Sequence, residues 1–86
     1  MEEVEVGRIT HYFPRIQVGV ARITGRGLKI GDVVHIKGHS TDFFQKVESM
    51  QIEHKPVEEA RAGEEVAFKV DMPVREKDVV FKVVEG

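Results

Sequence analysis

Eighty-six residues, no cysteine, 33% charged side chains and a net charge of −2 describe one small domain spanning 1–86. Apolar packing must hold it, since disulfides and thiolate-bound metal are excluded. A chain that binds nucleic acid over its whole surface would be basic, and this one is not. The acidic start Met1-Glu2-Glu3 has no apolar run behind it, and no later run approaches a membrane span. The expectation is a cytoplasmic protein free of the membrane.

The charge is unevenly spread. Residues 7–46 carry seven Lys or Arg against Asp32 and Asp42, whereas residues 47–86 carry six basic and ten acidic side chains. RNA contact, if made, is expected in a local patch. The high charge together with the absence of Asn and Cys fits a thermophile.

Val4 and Val6 alternate with Glu3 and Glu5, and Gly7 shifts the phase, so a bulge is expected there. Beyond it Ile9, His11 and Phe13 are expected to share a face. Pro14 suits the second position of a turn that returns the chain into a strand over 16–23. In that strand Ile16, Val18 and Val20 line one side, and Gln17, Gly19 and Ala21 the other. Gly25-Arg26-Gly27 is a corner. Leu28 and Ile30 should share a face, Gly31 can take a positive φ, and Asp32 can bond the backbone of its own turn. Val33–Lys37 then reads as a strand.

Residues 38–42 are dense in turn formers. The run Phe43–Glu53 is long for one strand of a small barrel and is expected to bend. Pro56, the acids Glu58 and Glu59, and Gly63 stand in the order of a short helical turn near 57–61. Ala60-Arg61-Ala62-Gly63-Glu64 repeats the chemistry of the Asp32 corner and feeds Val66, Phe68 and Val70 onto one face. A last strand is expected over 79–83. The fold class is all-β: about six strands in so few residues imply a closed antiparallel barrel, because closure removes exposed edges.

Catalytic and metal motifs are missing. No phosphate-cradling glycine loop occurs, so the chain is expected to bind no GTP. His35 and His39 lie roughly 13 Å apart along an extended strand, too far to share a metal. His11 and His54 have no carboxylate or hydroxyl at a telling spacing, and Glu58-Glu59 reads as a solvated acidic turn. No enzyme activity, cofactor or metal is expected.

Two resemblances are carried by particular residues. Leu28-Lys29-Ile30-Gly31-Asp32, the run Val47–Gly63 and Val66-Ala67-Phe68-Lys69-Val70 resemble the second domain of translational GTPases, above all the archaeal and eukaryotic elongation factor that delivers aminoacyl-tRNA and the selenocysteine-specific factor. The stretch from Val70 to Val80 is similar to the C-terminal barrel of collagenase-like peptidase-family proteins, where the barrel is an appended module. The first implies a closed six-stranded Greek-key barrel. It also implies a site for the tRNA acceptor end formed by Arg15, Val18 and Glu48. There a guanidinium can stack on a base, Val18 can floor the adenine, and a carboxylate can accept from a ribose hydroxyl. The relatives' glycine-rich loop is Phe13-Pro14 here, and the closest of them place Lys where Glu48 stands. The expected function is a non-catalytic translation-factor-like module that contacts tRNA or a ribosomal component. The alternative is a protein-interaction barrel that binds no RNA and docks on a separate GTPase or peptidase-like chain through its acidic half.

Overall fold

A computed structural model describes residues 2–85. All of its regular structure is strand, without a helix among the described residues. The ten strands are β1 (Glu2–Phe13), β2 (Val18–Ile23), β3 (Leu28–Lys29), β4 (Val33–Lys37), β5 (Asp42–Lys46), β6 (Met50–Ile52), β7 (Lys55–Pro56), β8 (Glu59–Ala60), β9 (Glu65–Lys69) and β10 (Val79–Val84). Eight form one antiparallel sheet in the order β5-β4-β10-β1-β2-β9-β6-β7, and β3 with β8 makes a separate ribbon.

The sheet wraps one apolar core. Val6, Ile9, Ala21, Ile23, Val34, Ile36, Val66, Phe68, Val70 and Val80 are buried in it, and the ribbon contributes Leu28 and Ala60. Val66, Phe68 and Val70 share the inner face as their alternation requires. The expected closed six-stranded Greek-key barrel is corrected: among the described residues the ladder ends at β5 and β7, which do not pair with each other. The cause lies in the run Phe43–Glu53. Val47 donates its N–H to Asp32 O and accepts from Gly31 N–H, both at 2.8 Å, which holds the end of this pairing at the corner before β4. One long strand thereby becomes β5, paired to β4, and β6, paired to β9.

Strand β1 carries two phase shifts. The bulge expected at Gly7 is present, with register lost between Glu5 and Gly7 opposite β10. A Cβ on Gly7 would stand 2.7 Å from Arg22 O, which explains the glycine. A second shift between Ile9 and His11 opposite β2 separates residues expected on one face. Ile9 is buried, whereas His11 and Phe13 are exposed.

Three corners use one device. In Lys29–Asp32, Arg61–Glu64 and Arg75–Asp78 the first N–H donates to the acidic side chain of the fourth residue, at 2.8, 2.7 and 2.8 Å. The fourth N–H returns to the first carbonyl. The third residues have φ of +97°, +94° and +76°: Gly31, Gly63 and Lys77. Ile30 falls within the first corner and is 42% exposed, so it does not share the buried face of Leu28.

The helical turn expected near 57–61 is replaced by strands. Glu53 and His54, with φ of +51° and +65°, turn the chain straight back into β7, where Pro56 pairs with Gln51. Both φ positive is the hairpin geometry that matches strand twist. Lys29 and Leu28 then pair with Glu59 and Ala60. Pro14 is also displaced from its expected role. It is the first residue of its turn, accepting from Gln17 N–H, rather than the second.

Candidate interaction surfaces

The outer faces of the sheet carry two clusters. The first spans β1, β10, β4 and β5. His35 on β4 is 8% exposed and points outward between two acids. Its Nδ1 meets Glu3 Oε1 at 2.7 Å and its Nε2 meets Asp42 Oδ1 at 2.5 Å. Strand register explains the arrangement. Asp42 lies opposite Lys37, Phe44 opposite His35, and His35 opposite Phe81. Phe44 stacks on the imidazole at 4.1 Å and 14°, and Phe81 flanks it at 6.2 Å.

Two carboxylates on two ring nitrogens require a proton on each, which makes His35 an imidazolium. Burial alone would push its pKa down. The hydrogen bonds that the ring donates to Asp42 and Glu3, with the negative charge of both, outweigh that and hold it above the ordinary 6.5. Asp42 is held below the ordinary 3.8 by its bond to His35, with help from the charges of His35 and Lys37. With both nitrogens occupied, the ring has no free position for proton transfer to a substrate. Among the described residues no group of three or more His, Cys, Asp or Glu side chains is arranged to hold a metal ion.

The second cluster lies on β2, β9 and β6 and the end of β1. Here the alternation of β2 is inverted in size. Gly19 and Ala21 face the core, while Val18 and Val20 point outward and are half-buried. The inner side has no room for more. A Cβ on Gly19 would meet Val70 Cγ1 and Val74 Cγ2 at 3.2 Å. Val18 lies opposite Phe13 and Lys69, and Val20 opposite His11 and Ala67. Phe13 is 45% and Ile16 61% exposed, so this outer face is more apolar than a strand turned to water requires. Phe13, Val20, Ile52 and Ala67 floor a shallow depression rimmed by Glu53, Glu64 and Glu65.

The three residues expected to form an RNA site are not brought into one pocket. Val18 lines a depression with Ile16, Ser49 and Lys69, whereas Glu48 lines the neighbouring one with Gln17, Gln45 and Asp71. Arg15 sits exposed in the 14–17 turn and lines neither. The His35 cluster is not marked as a site by any motif in the sequence. Its one legible part was the short loop 38–41, which fixes Asp42 and Phe44 against β4; the position of Glu3 depends on the order β1-β10-β4.

Comparison with solved structures decides the fold. The chain superposes on the crystallised C-terminal domain of a candidate U32 peptidase of Geobacillus thermoleovorans with a TM-score of 0.86, covering 95% of this chain and 93% of that one at 24% identity. Its selenomethionine variant gives 0.82, covering 88% and 95%, at 23% identity. The fold is that of this C-terminal domain. No protein-family model matches the chain.

In sequence the chain is 38% identical over 84 residues to an uncharacterized protease of Methanocaldococcus jannaschii, a match covering 96% of this chain and 20% of that protein. It is 33% identical over 82 residues to a collagenase of Porphyromonas gingivalis, covering 94% and 20%. The chain thus spans about one fifth of the length of the curated relatives it matches. These relatives are proteases and collagenases, and they overturn the translational, RNA-binding reading. The resemblance to collagenase-like proteins is the one they support. The elongation-factor pattern misled because it records corners and core positions, which any chain needs to build these turns and this core, and no binding chemistry.

Proposed function

We propose that this chain is a non-catalytic docking module of the kind that U32-type peptidase proteins carry at their C-terminus. Its docking surface is the outer face of β2, β9 and β6, and its partner is a peptidase-like chain. The observation that carries this reading is the inversion in β2. A strand that places glycine and alanine inside and two valines outside has an outer surface suited to being covered. Phe13 and Ile16 extend that surface, and Glu53, Glu64 and Glu65 supply a polar rim, as interfaces commonly have. The share of its relatives that the chain spans supports the same reading, since the remaining four fifths lie outside the matched segment.

Titration calorimetry tests it, using the M. jannaschii protease with its matching segment deleted as the partner. The wild-type chain is expected to bind. Val20→Lys is expected to weaken binding about tenfold or more, as hot-spot losses do, while its circular dichroism spectrum stays unchanged. Equal binding by the two chains would overturn the choice of face.

A further inference from the structure

We infer that β5 is a self-pairing edge, and that two copies of this chain join by antiparallel β5–β5 pairing centred on Phe44. The two ends of the eight-stranded sheet differ. β7 is two residues long and ends in Pro56, which has no N–H to offer, so that end is blunted against pairing. β5 is five residues long, Asp42-Phe43-Phe44-Gln45-Lys46, with neither proline nor bulge.

The phase of the ladder decides which groups reach the free edge. Val47 N–H bonds Asp32 O, and Gly38 N–H bonds Thr41 O. Hydrogen-bonded pairs recur every second residue in an antiparallel ladder, so Val34/Gln45 and Ile36/Phe43 are bonded pairs between β4 and β5. The backbone groups of Asp42, Phe44 and Lys46 therefore point away from β4, and β5 has no other ladder partner among the described residues.

Those same three residues turn their side chains to the outer face, with Phe44 54% exposed. An antiparallel pair centred on Phe44 places Asp42 opposite Lys46 of the second copy at both ends and Phe44 opposite Phe44 in the middle. Each is a bonded pair, about six main-chain hydrogen bonds in all. Opposite charges and aromatic pairs at directly opposed positions are the favourable cross-strand combinations. A register shifted by two residues loses both charge pairs. The charges that ordinarily guard an edge here select one register and one partner, an isologous contact of the chain with itself. Phe44 already lies flat on His35, so its ring is presented rather than free to rotate away.

Sedimentation equilibrium of the whole chain at submillimolar concentration reads the outcome. The expected mass is twice 9.7 kDa. Lys46→Asp sets two carboxylates against each other at each end and is expected to raise the dimer dissociation constant about tenfold or more. Asp42→Lys combined with Lys46→Asp restores opposite charges and is expected to restore the dimer. Because Asp42 also binds His35, Phe44→Pro gives an independent reading. It removes an edge-facing N–H, leaves the β4 ladder intact, and is expected to give a monomer. Val20→Lys, on the other face, is expected to leave the dimer unchanged. A monomeric wild type, a dimer that survives Lys46→Asp or Phe44→Pro, or loss of the dimer in Val20→Lys overturns the inference. A folded charge-swap variant that stays monomeric overturns it as well.

Discussion

Gln45 and Lys69 are joined where the sheet has no ladder. Gln45 Nε2 donates to Lys69 O at 2.8 Å, and its Oε1 accepts from Asp71 N–H at 2.7 Å. The carboxamide thus ties the inner face of β5 to the end of β9. It is 6% exposed, so water cannot readily replace it.

Gln45→Leu keeps the approximate volume but leaves a donor and an acceptor without partners. The expected loss is about 2 kcal/mol of unfolding free energy, measured by urea denaturation. A loss below about 0.5 kcal/mol, within the range of an ordinary surface change, would mean that the bridge is not structural.

The His35 cluster predicts a pH dependence with a definite sign. The pKa of His35 is raised on folding, so its contribution is complete below about 6.5 and fades as pH rises through the raised folded value. The pKa of Asp42 is lowered, so its contribution holds above about 3.8 and fades as pH falls through the lowered value. Between those limits the clamp is fully formed. The urea midpoint is expected to fall on moving from pH 6 to pH 8, and His35→Phe, which keeps a ring against Phe44, is expected to flatten that fall. An unaltered slope in the variant would show that the clamp does not report on stability.

The third corner is the imperfect copy of the other two. Lys77 holds φ of +76°, where Gly31 and Gly63 take +97° and +94°. A side chain in this conformation costs roughly 1–2 kcal/mol, part of which glycine gives back through its freer unfolded chain. Lys77→Gly is therefore expected to stabilise the protein by about 0.5 kcal/mol, and Gly63→Ala to destabilise it by about 1 kcal/mol. Thermal unfolding of both variants measures the contrast, and a destabilised Lys77→Gly would contradict it.

These corners show what the sequence could reveal. Gly31-Asp32 and Gly63-Glu64 were legible because a glycine marks the left-handed position and an acid follows it. Arg75–Asp78 was not, since Lys77 hides the same geometry. Likewise the bulge at Gly7 is readable from a glycine, whereas the shift after Ile9 has none, so nothing in the sequence separates His11 and Phe13 from the face of Ile9. The Glu53-His54 turn lacks the glycine or asparagine that signals such turns, and Pro56 followed by acids reads as a helix start. The outward valines of β2 were visible as a pattern, yet alternation alone does not say which side is the core. The His35 clamp needs three strands brought together by long-range pairing, and local sequence carries no trace of that order.

The central claim, that the outer face of β2, β9 and β6 is the docking surface, is tested most directly by amide hydrogen exchange. The chain is compared alone and with the M. jannaschii protease lacking its matching segment. Slowed exchange is expected at Phe13–Val20, Gln51–His54 and Glu64–Lys69, with β4 and β10 unchanged. No protection on that face in the presence of saturating partner, or protection confined to β4 and β10, would contradict it.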